Sequence, residues 1–373
     1  MVNNYQKKVV VMQYFMYFCS EKVSLSMRNC VLVLVSLLFL ACTGQEKERV
    51  APWKTTETDD NVFDLDEIQQ SGELIALTLS GPETYYTMRG KELGLHFLLC
   101  QRFANEMGTR LRMETCRDTA EMIARLKAGD ADLIAFPLTG DSTQLGWRIG
   151  EGKEALAEAL DGWYKPAMRQ EVALEERRLL AQPRVRRKVF APMLGHGVIS
   201  HYDALFRRYA KACGWDWRLM AAQCYQESTF DAKAVSWAGA KGLMQIMPST
   251  ADHLGLARGD MFDPELNVAA ASRLIVELTR AFSDIRDRQE QRCFVLASYN
   301  AGQGHIRDAM RLARRDGKNA QRWTDVRGYV LRLSQPEYYR DSLVTCGYMR
   351  GEETAEYVDM IMQRYKKYIR SAK

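Results

Sequence analysis

Strong charge of one sign is missing from this chain. Lysine and arginine number 52 against 47 acidic residues, a net charge of +5 over 373 residues, which offers nucleic acid no basic footprint. Metal motifs are missing too. The five histidines, His96, His196, His201, His253 and His305, are scattered with no HExxH spacing, so no metal and no cofactor is expected. Long apolar runs are few. The run from Val31 to Ala41, broken only by Ser36, is too short to cross a bilayer comfortably and suits the core of a signal peptide. What is present, 47% hydrophobic and 27% charged residues, belongs to a globular protein with room for two domains and a leader.

The leader reads "MRNCVLVLVSLLFLAC" from Met27 to Cys42. A small residue directly before Cys42 resembles a bacterial lipobox, in which the cysteine is acylated; Phe39 stands where leucine is usual. An ordinary cleaved signal or an anchor helix stays open. Met27 suits a true start, although a second apolar run, "VVVMQYFMYFC", precedes it. Residues 1–42 are thus expected to be a leader. Residues 43–64, polar and without periodicity, are expected to tether the folded part to a membrane. Beyond Cys42 lie Cys100, Cys116, Cys213, Cys224, Cys293 and Cys346. Buried thiols and disulfides are both compatible with their positions in apolar helical runs.

Residues 65–190 read as a small α/β domain with a linking helix. "GELIALTLS" (72–80), "RLRMETC" (110–116) and "ADLIAFPL" (131–138) are strand-like, with helical patterns between them, one of them capped by Asp118. This order predicts a mainly parallel sheet. Together with "GDADLIAFPLT" it resembles the first lobe of type II periplasmic solute-binding proteins. The second lobe has no counterpart, because "LGWRIG" (145–150) follows almost at once and looks like the returning strand. A single lobe has no cleft to close on a ligand at Tyr85 and Tyr86. A scaffold that is dispensable for chemistry is therefore expected. "RQEVALEERRLLAQPRVRRKV" carries both signs at helical spacing and predicts a solvated linking helix, ended or kinked at Pro183.

Residues 191–373 are helical almost throughout. Asp216 and Asp263 stand at N-cap positions, the latter followed by Pro264. The fold class expected is thus α+β and multidomain: a small α/β single lobe followed by an all-α domain.

"YQES" (225–228), "SWAGAKGLMQIMPSTA" (236–251), "ASYNAG" (297–302) and "GEETAEYV" (351–358) occur in that order. Together they resemble the lysozyme-like catalytic domain of bacterial lytic transglycosylases, and more closely the membrane-bound lytic murein transglycosylase F type. That resemblance implies cleavage of the N-acetylmuramic acid–N-acetylglucosamine bond of peptidoglycan without water, leaving a 1,6-anhydro end. Cleaving a glycosidic bond needs an acid that still holds its proton near neutral pH. Glu227, at a helix end beside apolar Tyr225 and Phe230, suits this through desolvation. Paired-carboxylate glycosidases need a second acid; Glu353 and Glu356 are candidates by type only.

Small residues around Gly242 permit close backbone approach or tight turns, and Gln245 can donate to and accept from sugar groups. The family match implies that Ser236 orients Glu227 or a substrate acetamido group, that Tyr299 and Asn300 line the same groove, and that Tyr357 faces Glu227. Gly242, Met244 and Gln245 complete the expected substrate-binding set, although Met244 also suits core. Arg307, Arg311, Arg314 and Arg315 could attract acidic stem peptides, or form a solvated helix face. Expected partners are peptidoglycan glycan strands and a membrane, through a lipid on Cys42, with the outer membrane of a Gram-negative envelope and its periplasmic face as the expected location. A non-catalytic murein-binding scaffold and a lysozyme-type hydrolase are the alternatives.

Overall fold

The computed structural model describes residues 63–140, 143–182, 185–186, 192 and 197–371. Cys42, the leader and most of the tether lie outside the described residues, as does the expected boundary near residue 190. From Val62 onward the chain forms one compact unit. Among the described residues no helix is long and apolar enough to cross a membrane.

The expected fold class is the one observed. The α/β part begins with α1 (Leu65–Ser71), β1 (Glu73–Leu79), the short pair β2 (Tyr86–Met88) and β3 (Lys91–Leu93), and α2 (Leu95–Glu106). It continues with β4 (Arg110–Cys116), α3 (Thr119–Lys127), β5 (Leu133–Ile134), β6 (Arg148–Ile149), α4 (Glu154–Trp163) and α5 (Ala167–Ala181). The sheet order is β4-β1-β5-β6. β1 runs parallel to β4 and β5, and β6 returns antiparallel. Alternation along β1 sends Leu74 and Ala76 to one face, against Leu99, Cys100 and Phe103 of α2. Leu77 goes to the other face, against Met122 and Leu126 of α3. The Asp118 side chain accepts from the Glu121 N–H at 2.8 Å, capping α3 as expected.

Two expectations change. The third strand is two residues long rather than eight, its ladder to β6 covering only Leu133 and Ile134. The charged helix α5 folds back on the α/β part: Val172 is fully buried, and Glu176 accepts from the Tyr86 hydroxyl and the Gly94 N–H, both at 3.0 Å. A stripe of apolar residues too narrow to stand out in sequence docks it.

The helical part comprises β7 (Val185–Arg186), α6 (Asp203–Ala212), α7 (Trp217–Ser228), β8 (Val235–Ser236), α8 (Pro248–His253), α9 (Pro264–Ala281), α10 (Arg288–Ala301), α11 (Gln303–Arg315), α12 (Trp323–Arg332), α13 (Pro336–Tyr339) and α14 (Gly351–Ser371). Asp216 and Asp263 cap α7 and α9 through the Arg218 and Leu266 N–H groups. One core, from Phe206 through Phe294 to Tyr368, joins these helices. α7 is enclosed between α6 and α14. The six cysteines from Cys100 onward are free thiols, and Cys100, Cys116, Cys213 and Cys224 are buried.

His96 on α2 is buried and accepts from Trp147 Nε1 at 2.8 Å. Burial, with Arg169 nearby, pushes its imidazole down to about 4 from 6.5. Between those two values the unfolded chain takes up a proton that the folded His96 refuses. Stability therefore falls as pH drops from 6.5 towards 4, by on the order of 3 kcal/mol, and this contribution falls no further below that window. Thermal melts at pH 7 and pH 5 should show a smaller drop for His96→Gln than for wild type. Equal drops in the two proteins would remove His96 from the account.

Candidate active site

The site is built at the end of α7. This helix stops at Ser228 although no glycine follows it; Thr229 and Phe230 adopt left-handed backbone, with φ of 52° and 62°. Such φ values in non-glycine residues are strained. The turn they form leaves Glu227 on the last helical turn, 3% exposed. Phe230 packs edge-on against Tyr225, with ring centroids 5.5 Å apart, beside the buried end of the helix.

Gln223 and Glu227 are four residues apart and share one face of α7. Both meet Tyr357 of α14, which is itself 1% exposed. The Tyr357 hydroxyl donates to Glu227 Oε1 at 2.5 Å and accepts from Gln223 Nε2 at 3.3 Å. Because the amide nitrogen can only donate, the tyrosine proton is directed at the carboxyl group.

Glu227 lines a cleft of about 410 Å³. On one side lies the turn after β8. The Ala240 N–H donates to Ser236 Oγ at 2.9 Å, and Gln245 Nε2 donates to the carbonyls of Gly242 and Ala234 at 2.8 and 3.2 Å. These bonds hold Gln245 at a φ of 51°. Ser298, Tyr299 and Asn300 at the end of α10, and Glu353 and Thr354 at the start of α14, line the same cleft. The Tyr299 hydroxyl donates to the Met244 carbonyl at 2.8 Å, and Thr354 Oγ1 donates to Asn300 Oδ1 at 2.7 Å. Gln245 Oε1, Ser298 Oγ and His305 Nδ1 are buried polar atoms of cleft residues with no hydrogen-bond partner in the protein. Such atoms are rare in a finished core, and they suit a cleft that receives a polar ligand.

The structure brings Glu227, Ser236, Gln245, Tyr299 and Asn300 to one cleft and sets Tyr357 directly behind Glu227. It does not bring Gly242 and Met244 to the lining. Met244 is fully buried in the helical core, and Gly242, at φ 80°, lies where a Cβ would stand 2.4 Å from the Met261 carbonyl oxygen. Both shape the turn from behind. Three of the four arginines of α11 are engaged elsewhere: Arg307 pairs with Asp284, Arg311 with Asp308 and Arg315 with Asp341. His305, Asp308 and Cys346 bring ligand-type atoms within 4.8 Å of one another. The Asp308 carboxylate, however, already accepts from Arg311, Thr345 and the Cys346 N–H, so a guanidinium stands where a cation would.

Three contributors escaped the sequence reading. Gln223 could have been found from its i, i+4 relation to Glu227. Asn267, fully buried on α9, gives its Nδ2 to the Met261 and Lys241 carbonyls at 2.8 and 3.1 Å and accepts from the Met244 N–H at 2.8 Å. Only the polarity of one position in an apolar stripe signalled it. The third is the β2–β3 turn, whose Thr87, Met88, Arg89 and Gly90 line the cleft. The α/β part thus contributes residues to the cleft lining.

Residues 204–322 match the family described as the transglycosylase SLT domain. That stretch lies within the helical part. The chain is similar to the membrane-bound lytic murein transglycosylase F of Desulfosudis oleivorans, at 39% identity over 45% of this chain and 36% of that one. It thus spans about a third of that relative's length. The protein of the same name from Salmonella arizonae is 26% identical over 79% of each chain. That alignment extends over 412 positions, more than the whole of this chain, so a long stretch of the relative stands opposite no residue here. Among solved structures, the lytic transglycosylase Slt of Pseudomonas aeruginosa matches 46% of this chain and 25% of its own at 22% identity, with a TM-score of 0.33.

Proposed function

We propose that this protein is a peptidoglycan lytic transglycosylase of the cell envelope, with Glu227 as its single general acid and base. The observation that carries this reading is Glu227 itself, a buried carboxyl on a polar cleft of an SLT domain, with the Tyr357 proton aimed at it. Glu227 gives its proton to the bridging oxygen between N-acetylmuramic acid and N-acetylglucosamine as the C1–O bond breaks. The sugar's own C6 hydroxyl then closes onto C1, and the Glu227 carboxylate takes the proton that this hydroxyl releases. An attacking group on the same ring has a high effective concentration, so no second carboxylate is needed to hold a water. Tyr357 steadies the charge that appears on Glu227 between the two proton transfers. Ser236, Gln245, Tyr299 and Asn300 are proposed to hold the sugars, while Gly242 and Met244 fix the turn that carries Gln245.

One observation favours a second reading. Glu353 also lines the cleft, and a second carboxylate is what a hydrolase would use to activate water. Its Oε1 is bound to Arg89 Nε at 2.6 Å, which leaves it poorly placed for that task. Purified murein decides between them: fragments from a transglycosylase are lighter by one water than those from a hydrolase. Full hydrolytic masses would make the enzyme a lysozyme-type muramidase, and no soluble fragments at all would leave only a murein-binding scaffold.

The lipid anchor belongs to the same proposal. Acylated Cys42 would hold the enzyme on the periplasmic face of the outer membrane. Cys42→Ala is expected to move the protein from the membrane fraction to the soluble periplasm. A variant that still sediments with membranes after a salt wash would rule out acyl anchoring.

A further inference from the structure

We infer that Arg89 and Arg350 form a carboxylate-binding subsite in the cleft of Glu227, so that the substrate taken is glycan whose muramic acid residues carry free carboxylates. This rests on the transglycosylase reading above and adds to it which chemical form of the polymer is recognised.

Two arginines line the cleft, Arg89 from the β2–β3 turn and Arg350 immediately before α14. Arg89 has a φ of 53°, left-handed backbone that is unfavourable for arginine and is kept where a side chain must be placed. Its Nε is bound to Glu353 Oε1 at 2.6 Å, with both side chains about four-fifths buried. Its guanidinium carbon lies 5.9 Å from the centre of the Trp237 ring. Nη1 of the same group is buried and has no hydrogen-bond partner among the described residues. A buried charged donor left unused is costly. Arg350 is half-buried and, among the described residues, enters no ion pair and no side-chain hydrogen bond. Its charge is felt at the Tyr86 and Tyr348 hydroxyls, which sets the guanidinium at the seam where the hairpin meets the helical part.

That seam is rigid. Tyr86 is buried edge-on against Tyr348 with ring centroids 5.3 Å apart, and Tyr348 packs edge-on against Tyr339 at 5.5 Å. The charges of the lining do not balance. Besides Arg89 and Arg350, the charged residues are Glu227 and Glu353. Glu353 and Arg89 offset each other, His305 is held neutral by its burial, and Glu227 must hold its proton when the reaction begins. The charge left over is that of Arg350. Positive charge favours the carboxylate form of an acid, so alone it works against Glu227 as proton donor. A negative group brought by the substrate removes that conflict. The sugar rings of murein are neutral. Its negative charge hangs from the lactyl ether of muramic acid, either as the lactyl carboxylate itself or as carboxylates of the peptide attached there. A guanidinium meets a carboxylate through paired hydrogen bonds. Arg350 has its fork free for this, with Nη1 of Arg89 as a further donor in the same cleft.

The test uses the full chain on uncross-linked glycan strands in three forms: with native peptides, with the same peptides after their carboxylates are converted to amides, and stripped of peptides so that the lactyl carboxylates are free. Anhydro-ended products are counted against strand concentration to give KM. Wild type is expected to show a KM on amidated strands at least about tenfold above that on native ones, the weight of one charge-assisted hydrogen bond. Stripped strands taken as well as native ones would assign the contact to the lactyl carboxylate, and stripped strands taken as poorly as amidated ones would assign it to the peptide. Arg350→Gln leaves the Arg89–Glu353 pair in place; it should raise KM on native strands and abolish the difference between native and amidated forms. Arg350→Lys keeps the charge and should restore part of that difference. Near-ultraviolet circular dichroism checks that both variants are folded. Equal KM on native and amidated strands for wild type overturns the inference without reference to any variant. So does a folded Arg350→Gln protein that still distinguishes the two forms, or one that loses equally on both, which would make Arg350 structural. Absence of anhydro-ended products from every form refutes the transglycosylase reading itself and is read first, before KM values are compared.

Discussion

Glu227→Gln is expected to lower the rate of murein cleavage by about 10²- to 10⁴-fold, the usual range for a positioned general acid and base. The amide keeps the volume of the carboxyl group, and its oxygen can still accept from the Tyr357 hydroxyl that now donates to Glu227 at 2.5 Å. It can neither deliver nor collect a proton. The buried hydrogen bond therefore survives while the chemistry does not, and the unfolding midpoint and binding to sacculi should stay near those of wild type. Turnover within about threefold of wild type, against that expected range, would remove Glu227 from the reaction. Lost turnover with a clearly lowered midpoint would mean that the residue holds the fold instead.

Asn267 should have the largest effect on stability among the residues around the cleft. Its side chain joins three backbone groups from two separate segments, the Lys241 and Met261 carbonyls and the Met244 N–H. Asn267→Leu fills the same space and leaves all three without that partner. A buried polar group left unsatisfied costs about 1–3 kcal/mol, so the variant is expected to lose roughly 3–5 kcal/mol, a large share of the 5–15 kcal/mol typical of a folded domain. Asn267→Asp keeps the acceptor for the Met244 N–H but sets a carboxylate oxygen against the Lys241 and Met261 carbonyls in a buried site, and it should cost at least as much as the leucine variant. Urea unfolding measures both. A loss of under about 1 kcal/mol for the leucine variant would mean that the turn is held by its glycines and short ladder alone. Activity should fall with stability, because the same turn carries Gln245 into the cleft.

Much of this was legible in the sequence, and the reasons differ from place to place. Caps at Asp118, Asp216 and Asp263 were readable because capping is local: a side chain bonds an N–H two or three residues away. The sheet was readable because strand and helix periods alternate along the chain. Glu227, Gln245, Tyr299 and Asn300 were singled out together through four ordered motifs, and the structure places them on one cleft. The end of α7 was harder to read, since Thr229 and Phe230 take left-handed backbone without a glycine to announce it. Gly242 and Met244 were placed on the lining because motif membership does not say which way a turn faces. Arg89 lay beyond reach: its partner Glu353 is 264 positions away, and nothing near either residue marks the pairing. The α/β part meets the helical part through that contact, through the approach of the same turn to Trp237 and Met247, and through the tyrosine cluster behind it.

The central claim is that the attacking oxygen comes from the sugar and not from solvent. Digestion of purified murein in water enriched in heavy oxygen tests this directly. The account predicts that newly formed ends carry no heavy oxygen and that fragment masses are the same as in ordinary water. One heavy oxygen at each new end would show that water attacks C1, and would contradict the single-carboxylate mechanism built on Glu227.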